Sequence, residues 1–338
     1  MMLLLFELKK LLICRRGLLI FALIAAETAL AFLPRDTQHS YSPEIYRLYC
    51  EQLAGDYTPE KREEIFARLD GINAVISQHE ELEEEYRSGA VTLDAFSAHN
   101  KEYSKAQAEL ETVQYLADKC RYFDRLGTGR FFCDTDWEDF FTRRGYALTT
   151  VLLLLILIPP VFCNEYSTDM SDTLRTMRNG RTRLAVTKLT VCAAVMLAVS
   201  LLISAAELAA FSARFGAESC SEPLDSIMGF DGFGNISVLG FFLRSAVMRA
   251  CSFAVCAVVI CTLSVLTRSQ LFTVFLGAAV CVTPAFITGN AAVCCILSPT
   301  VQNGMYPPGV NAALFCLLCA AKCAAYGAVC IHFFVRSK

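Results

Sequence analysis

The chain has 338 residues, of which 55% are hydrophobic and 19% are charged, and its mean hydropathy is +0.44. Soluble domains rarely have such a composition. The formal net charge of −3 is unevenly distributed, since residues 34–143 hold 23 acidic and 13 basic residues and the remainder holds 10 and 17. This pattern excludes a purely soluble protein, a nucleic-acid binder driven by positive charge, and a small secreted domain held together by disulfides.

Long uncharged runs predict membrane-spanning helices. Each run reaches the roughly 18 to 20 residues that cross a bilayer as a helix, and the four runs are residues 145–164, 189–206, 250–267 and 269–321. The last run is long enough for two helices, and chain-breaking residues from Gly289 to Gly309 predict a hairpin in its middle. With the first apolar stretch included, we expect six spans, at about residues 15–33, 145–163, 185–211, 246–267, 270–289 and 311–335.

Basic residues indicate the orientation of these spans. They precede the first span, separate the second from the third and the fourth from the fifth, and follow the sixth: Lys9, Lys10, Arg15, Arg16, Arg175, Arg178, Arg181, Arg183, Lys188, Arg268, Arg336 and Lys338. Because Lys and Arg are enriched in cytoplasmic segments, we expect both termini in the cytoplasm and the acidic segment outside. A cleaved signal peptide is the alternative for the first span, since Ala29-Leu30-Ala31 imitates a cleavage site. The even number of spans favours its retention.

The acidic segment predicts an extracytoplasmic helical domain over residues 34–143. From Thr58 to Arg87 and from Thr92 to Leu126, apolar residues recur every three or four positions, which predicts one narrow apolar stripe on each of two helices. Ser88-Gly89-Ala90 offers a break between them. We therefore expect an antiparallel helical hairpin with coiled-coil character. Its acidic run at residues 80–85 is either a solvated helix face or a docking site for a cation or basic peptide.

The expected fold class is an all-α membrane protein with six transmembrane helices and an extracytoplasmic antiparallel helical hairpin. Its three regions are residues 1–33, 34–143 and 144–338. The segment from Phe131 to Phe141, which contains Trp137, is expected to act as an aromatic anchor at the outer membrane interface.

Most of the 17 cysteines lie inside the predicted spans, where a thiol acts as a small apolar group. Cys316 and Cys319 form a C-x-x-C pair, but without a strand-loop context helix packing is favoured over a redox or metal role. The cysteines outside the spans could form disulfides whose pairing the sequence does not decide: Cys50, Cys120, Cys133, Cys220, Cys294 and Cys295. The four histidines lack ligand spacing, so no metal site is expected.

Several charges fall within apolar runs. Glu27 and Lys322 are expected at similar depths near mid-membrane, where they either neutralise each other or find separate water or backbone partners. Arg244 and Arg249 are expected to reach toward lipid head groups at the outer ends of their helix. Glu207 is expected near the outer end of its span.

The loop at residues 164–184, which we name the coupling loop, carries the strongest functional signal. Met170, Leu174 and Met177 form one apolar face of a short predicted helix, which either lies in the membrane interface or inserts into a groove on a partner. The residues that suit the two ends of this helix are Ser167 or Asp169 as a cap, Asp169 and Asp172 at the start, Arg175 and Arg178 at the end, and Asn179-Gly180 as a stop.

Three features together resemble the permease subunits of ABC-2 type exporters. They are Phe6-Glu7-Leu8-Lys9-Lys10 before the first span, the six-span order with an outer insert, and the run from Glu165-Tyr166-Ser167 through Arg175-Thr176 and Arg178-Asn179-Gly180-Arg181 to Lys188. In that family this loop carries the coupling helix that docks on a separate nucleotide-binding subunit. A Gly usually follows the Glu-Tyr-Ser segment, whereas Thr168-Asp169 stand here.

The resemblance implies a multi-pass permease in a bacterial-type plasma membrane that works as a homodimer or as a heterodimer with a related permease. The permease would lie in the lipid bilayer. A cytoplasmic ATP-binding-cassette ATPase that holds ATP and Mg would power its transport. The residues that the resemblance assigns to partner binding are Glu165, Asp169, Met170, Leu174, Arg175, Met177, Arg178 and Arg181.

The chain has no G-x-x-x-x-G-K-[ST] phosphate loop, and Gly127-Thr128-Gly129-Arg130 lacks the Lys. We therefore expect a transport subunit without its own ATPase site and without a cofactor. The spans also lack the paired acids or His-Cys and Ser-Lys groupings of an intramembrane enzyme. The alternative is a membrane-anchored sensor or scaffold whose outer hairpin binds a peptide or protein ligand. Neither reading identifies a substrate.

Overall fold

The computed structural model describes residues 2–12, 22, 25, 26, 29, 39–143, 148–167, 180–216, 218–233, 236–286 and 311–336. Regular structure in these residues is almost entirely helical. The helices are α1 (Met2–Leu12), α2 (Pro43–Leu53), α3 (Pro59–Ser88), α4 (Leu93–Leu126), α5 (Thr135–Arg143), α6 (Leu148–Leu157), α7 (Pro160–Ser167), α8 (Gly180–Phe215), α9 (Val238–Thr267), α10 (Gln270–Phe286) and α11 (Ala312–Arg336). Two short strands, β1 (Gly55–Asp56) and β2 (Arg130–Phe131), pair in antiparallel fashion.

The chain divides into two compact units. The apolar unit comprises Met1–Pro34, Phe140–Gly216 and Gly240–Lys338, and the acidic unit comprises Arg35–Asp139 and Ala217–Leu239. The acidic unit thus contains most of the segment that the sequence predicts as a separate domain. It also includes a second segment, at residues 217–239, that lies far away in the chain.

Four helical stretches of the apolar unit are long and apolar enough to cross a membrane, namely Thr150–Ser167, Arg181–Phe215, Val238–Thr267 and Ala312–Arg336. The apolar stretch of α10, Gln270–Cys281, is shorter. This is the pattern of a multi-pass membrane protein. The first predicted span lies almost entirely outside the described residues, as does the hairpin predicted between the last two spans, so the total of six spans stays a prediction.

The second predicted span is interrupted by a proline pair, Pro159-Pro160. Helix α6 ends at Leu157 and α7 begins at Pro160. A proline removes a backbone donor and leaves a preceding carbonyl without its helical partner. At this break the Pro159 carbonyl accepts the backbone N–H of Cys163 and, at 2.9 Å, the Ser264 hydroxyl of α9. Side chains of α6, α8 and α9 then fill the core of the apolar unit, with Leu154, Met196 and Cys256 fully buried.

Helices α3 and α4 begin and end where the sequence predicts. The hydroxyls of Thr58 and Thr92 accept hydrogen bonds from the third residue beyond each cap, and Gly89 ends α3 in the left-handed conformation with φ of 80°. The helices run antiparallel, since Arg62 pairs with Asp124 at one end. Near the other end the rings of His79 and Tyr103 stack. Their predicted apolar stripes pack together, with the buried positions Ile65, Ile72, Ala106 and Val113.

A buried polar cluster in the acidic unit joins α2, α4 and the residue before α5. The Lys119 ammonium donates to Asp134 at 2.7 Å and to the Tyr46 hydroxyl at 2.9 Å, and that hydroxyl donates to Asp134 at 2.5 Å. Segment 217–239 is attached to β2, because Arg130 pairs with Glu222 at 3.2 Å. Each of the three groups of the cluster has a hydrogen-bond partner within the protein.

The aromatic-anchor prediction for residues 131–141 is wrong. Phe131 lies in the core of the acidic unit and Trp137 is only 2% exposed. Phe141 packs edge-on against Phe241 in the apolar unit. These rings pack against other side chains of the protein. Composition alone does not distinguish such packing from packing against lipid.

Candidate functional site

The structure places two of the predicted partner-binding residues, Glu165 and Arg181, at the two ends of the coupling loop. Glu165 lies near the end of α7, and Arg181 is the second residue of α8. The other six fall outside the described residues, namely Asp169, Met170, Leu174, Arg175, Met177 and Arg178. The structure therefore describes the two ends of the loop, at residues 164–167 and 180–184.

A buried ion pair joins the two helices that flank the loop. The Glu165 carboxylate accepts a hydrogen bond from the Lys188 ammonium, and both residues are buried. The ammonium also donates to the Val161 carbonyl at 2.9 Å and lies 5.3 Å from the centroid of the Phe162 ring. Because an unpaired charge at this position would be costly, the pair holds α7 against α8.

A second contact fixes the loop's other end. The Arg181 guanidinium donates to the Val335 carbonyl at 3.2 Å, where α11 ends. Next to it, the rings of Phe162 and Phe334 meet edge-on with centroids 5.3 Å apart. The ends of α7, α8 and α11 are thus tied together directly beside the loop.

Helix α7 is also fixed to the turn between α9 and α10. The Cys163 sulfur lies 3.1 Å from the Ser264 hydroxyl. The Arg268 guanidinium lies 5.4 Å from the centroid of the Tyr166 ring. Arg268 itself adopts the left-handed conformation with φ of 53°, which permits the sharp turn between the two helices. The short helix before the loop is therefore held on two sides.

The helix ends of the apolar unit group as expected if successive helices cross the membrane in opposite directions. Arg181, Lys188 and Arg268, all predicted to be cytoplasmic, lie at the end of the unit where α7 and α11 also end. At the opposite ends of α8 and α9, Phe140 contacts both Phe211 and Phe242. The side that faces the cytoplasm stays a prediction from the distribution of basic residues.

Two details of the predicted loop helix need correction. Ser167, offered as a possible cap, is the last residue of α7, and its hydroxyl donates to the Asn164 carbonyl at 3.1 Å. Gly180, offered as a helix stop, is the first residue of α8. The flanking helices therefore extend into the predicted loop at both ends.

The charges predicted in apolar runs have different outcomes. Arg249 is not a head-group anchor, because it is buried and its guanidinium binds both carboxylate oxygens of Glu207 on α8, at 2.9 and 3.0 Å. Arg244 is exposed, as expected of an anchor. Lys322 is half-buried in α11, whereas Glu27 lies outside the described residues, so their pairing stays a prediction.

No protein-family model, curated protein or solved structure matches the chain. In the part of the chain that the structure describes, no group of three or more His, Cys, Asp or Glu side chains is arranged to hold a metal ion.

The cysteines of the acidic unit are free thiols at all four described positions, Cys50, Cys120, Cys133 and Cys220. Burial raises the pKa of Cys50 to about 12 and that of Cys120 to about 11. A thiol with such a pKa is mostly protonated at neutral pH and is a poor nucleophile. Cys50 and Cys120 therefore serve as core packing. Cys294 and Cys295 lie outside the described residues.

Proposed function

We propose that the chain is the permease subunit of an ATP-binding-cassette exporter, powered by a separate ATPase that docks on the coupling loop at residues 164–184. The observation that supports this most strongly is the attachment of both ends of the loop to the transmembrane core. Glu165 is paired with Lys188 at one end, and Arg181 is bonded to the end of α11 at the other. A partner that displaces the loop would therefore move three helices.

The way the loop is attached suits the transmission of force. A loop on flexible ends would absorb a displacement, whereas a buried ion pair resists separation because parting the charges exposes each to an apolar surrounding. Helices α7 and α8 would then move together when the ATPase closes on ATP. In this proposal two permease copies form the transport path, and ATP and Mg belong to the partner subunits.

The partner-facing surface in this proposal is the apolar face of Met170, Leu174 and Met177. Three apolar side chains at helical spacing are what a groove on a docked subunit accepts. Replacing all three with Asp should detach the ATPase without affecting membrane insertion. The readout is the ATP hydrolysis and the ATPase subunit that co-purify with the chain in detergent.

A matched control adds the same charge to the opposite face of the predicted helix. By helical spacing, Thr168, Thr176 and Asn179 point away from the apolar face, so changing these three to Asp should leave co-purification intact. If the variant at Met170, Leu174 and Met177 keeps as much ATPase as the control variant does, the coupling assignment is wrong. Loss with both would show that charge, and not the apolar face, governs docking.

A cleft in the acidic unit favours the second candidate function, a sensor or scaffold that binds a peptide outside the membrane. It has a volume of about 400 Å³ and lies between α3 and α4, over an apolar floor that includes Ala67, Ile72 and Ala106. Arg68, Glu102, Lys105 and Glu109 supply charges of both signs around it. Deleting residues 58–126 separates the two functions, since an exporter should stay inserted and keep its ATPase, whereas a sensor should lose its ligand.

A further inference from the structure

Two helices of the apolar unit that are joined by an ion pair carry similar polar stripes that the proposed function does not use. On α8 the stripe is Ser200, Ser204 and Glu207, and on α9 it is Ser245, Arg249 and Ser252. In each helix the three positions are spaced by four and three residues, so they share one face. Polar residues within apolar transmembrane helices are costly and commonly mark a functional site.

The ion pair between the stripes fixes their alignment. Arg249 binds both carboxylate oxygens of Glu207, and the thiols of Cys192 and Cys261 lie near each other further along the same helices. Since higher residue numbers on α9 meet lower numbers on α8, the helices are antiparallel. Ser204 and Ser252, each three residues from the ion pair, are therefore at the same level along the two helices.

The hydroxyls of the stripes are buried without partners. Ser200, Ser204, Ser245 and Ser252 have exposures of 0%, 2%, 5% and 0%, and their hydroxyls make no hydrogen bond within the described part of the chain. The Nε–H group of Arg249 is also buried and unpaired there. Other hydroxyls in the same helices are satisfied by the preceding turn, as when Thr262 donates to the Val258 carbonyl at 2.9 Å.

Five unpaired polar groups on two adjoining helix faces are not explained by helix packing, because each would lose hydrogen bonds made with water in the unfolded chain. We propose that these side chains, which we name the serine–arginine cluster (Ser200, Ser204, Ser245, Arg249 and Ser252, with Glu207), form a hydrated binding site for uncharged hydrogen-bonding groups. Water fills the site when it is free, and a ligand's hydroxyl or amide groups replace that water.

The charge balance selects the class of ligand. Glu207 neutralises the Arg249 guanidinium, so a charged ligand group would lose its hydration without gaining a net countercharge. Hydroxyls and amides, by contrast, both donate and accept, which suits four serine hydroxyls and one guanidinium N–H. The site does not depend on the exporter proposal, since the same cluster would be hydrated in any membrane protein with this fold.

Thiol accessibility in the full-length chain tests the proposal. Ser204→Cys and Ser252→Cys variants in lipid nanodiscs would be treated with a neutral hydroxyethyl, an anionic sulfonatoethyl and a cationic trimethylammonium-ethyl methanethiosulfonate. These reagents react with thiolates, which require a polar, hydrated surrounding. Peptide mass spectrometry distinguishes the introduced thiols from the 17 native cysteines.

Native Cys261 is the internal reference, since it is a free thiol, fully buried in α9 on another face and near Cys192. Ser264→Cys is the matched control, because Ser264 is equally buried in α9 but its hydroxyl is bonded to Pro159. We expect the neutral reagent to modify both test thiols at least about tenfold faster than Cys261, and faster than either charged reagent. Rates equal to that of Cys261 would overturn the hydrated site, and faster reaction with a charged reagent would overturn the ligand class.

A second measurement covers variants that do not fold with Cys. Removing a dry, unpaired hydroxyl stabilises a protein, whereas removing a hydrated one does not. We therefore expect Ser204→Ala and Ser252→Ala to leave the unfolding temperature unchanged or lower. Ser264→Ala should lower it, since that hydroxyl is bonded. A clear rise in the unfolding temperature of both test variants would show that the cluster is dry.

Discussion

Replacing Lys119 with Met is expected to destabilise the acidic unit by about 3–5 kcal/mol, the cost of removing one partner from a buried ion pair. Both charged side chains of this pair, Lys119 and Asp134, are fully buried, and their charged atoms are 2.7 Å apart. Methionine retains most of the side-chain volume, so the change removes the charge with little loss of packing. Asp134 would then keep only Tyr46 as a described hydrogen-bond donor.

The magnitude predicts a large change in hydrogen exchange. A loss of about 3 kcal/mol raises the open population of the unit about 100-fold, because about 1.4 kcal/mol corresponds to a factor of ten. The measurement is amide exchange of the α4 peptide at residues 112–123 in the full-length chain, followed by mass spectrometry. These residues include the fully buried Leu116, Cys120 and Phe123.

Two controls separate the ion pair from other effects. Arg121→Met removes an adjacent but exposed pair with Asp118, whose side chains are 61% and 62% exposed, and should cost less than about 1 kcal/mol. The double variant Lys119→Met/Asp134→Asn should recover much of the loss, since no unpaired charge remains. Exchange within threefold of the native rate in Lys119→Met would refute the reasoning.

Three further predictions concern packing, pH and the loop. Gly129→Ala should destabilise the acidic unit, because its Cβ would collide with the ring of Phe123. Gly71→Ala would place its Cβ with nothing within 4 Å, so it should stabilise α3 by about 1 kcal/mol. Thermal unfolding measures both changes. The stability of the acidic unit should fall as pH rises from 9 toward 12. Burial raises the pKa of Cys50 from 9.0 to about 12, so the thiol loses its proton at lower pH in the unfolded chain than in the folded one. Cys50→Ala should reduce the dependence of stability on pH, as measured by denaturant titrations. Lys188→Met should leave the buried Glu165 carboxylate without its cation, destabilise the apolar unit by about 3–5 kcal/mol and abolish ATPase activity in the complex. A variant that keeps both its stability and this activity would contradict the proposed role of the pair.

The sequence predicts the acidic unit's helices well because their determinants are local. Thr58, Thr92 and Gly89 mark helix ends through contacts within a few residues, and apolar spacing of three and four residues defines the buried stripe. The proline pair that interrupts the second span is equally local. Such features can be read from the sequence without knowledge of the tertiary structure.

The ion pairs could not be predicted in the same way. Lys188 and Glu165 are 23 residues apart, and Arg249 and Glu207 are 42 apart, so no helical period links the partners. A basic residue near the end of an apolar run suits an anchor in lipid equally well, which is why the prediction for Arg249 failed. Only the tertiary packing of α8 and α9 decides between these two environments.

The side of the membrane on which the coupling loop lies tests the central claim most directly. A Leu174→Cys variant would be labelled with a membrane-impermeant maleimide in inside-out and right-side-out vesicles, and labelling would be read from the peptide containing residue 174. Ser97→Cys, an exposed position on the acidic unit, is the control and should show the opposite pattern. We expect the thiol at 174 to react only in inside-out vesicles, and its reaction in right-side-out vesicles would contradict the docking of a cytoplasmic ATPase on this loop.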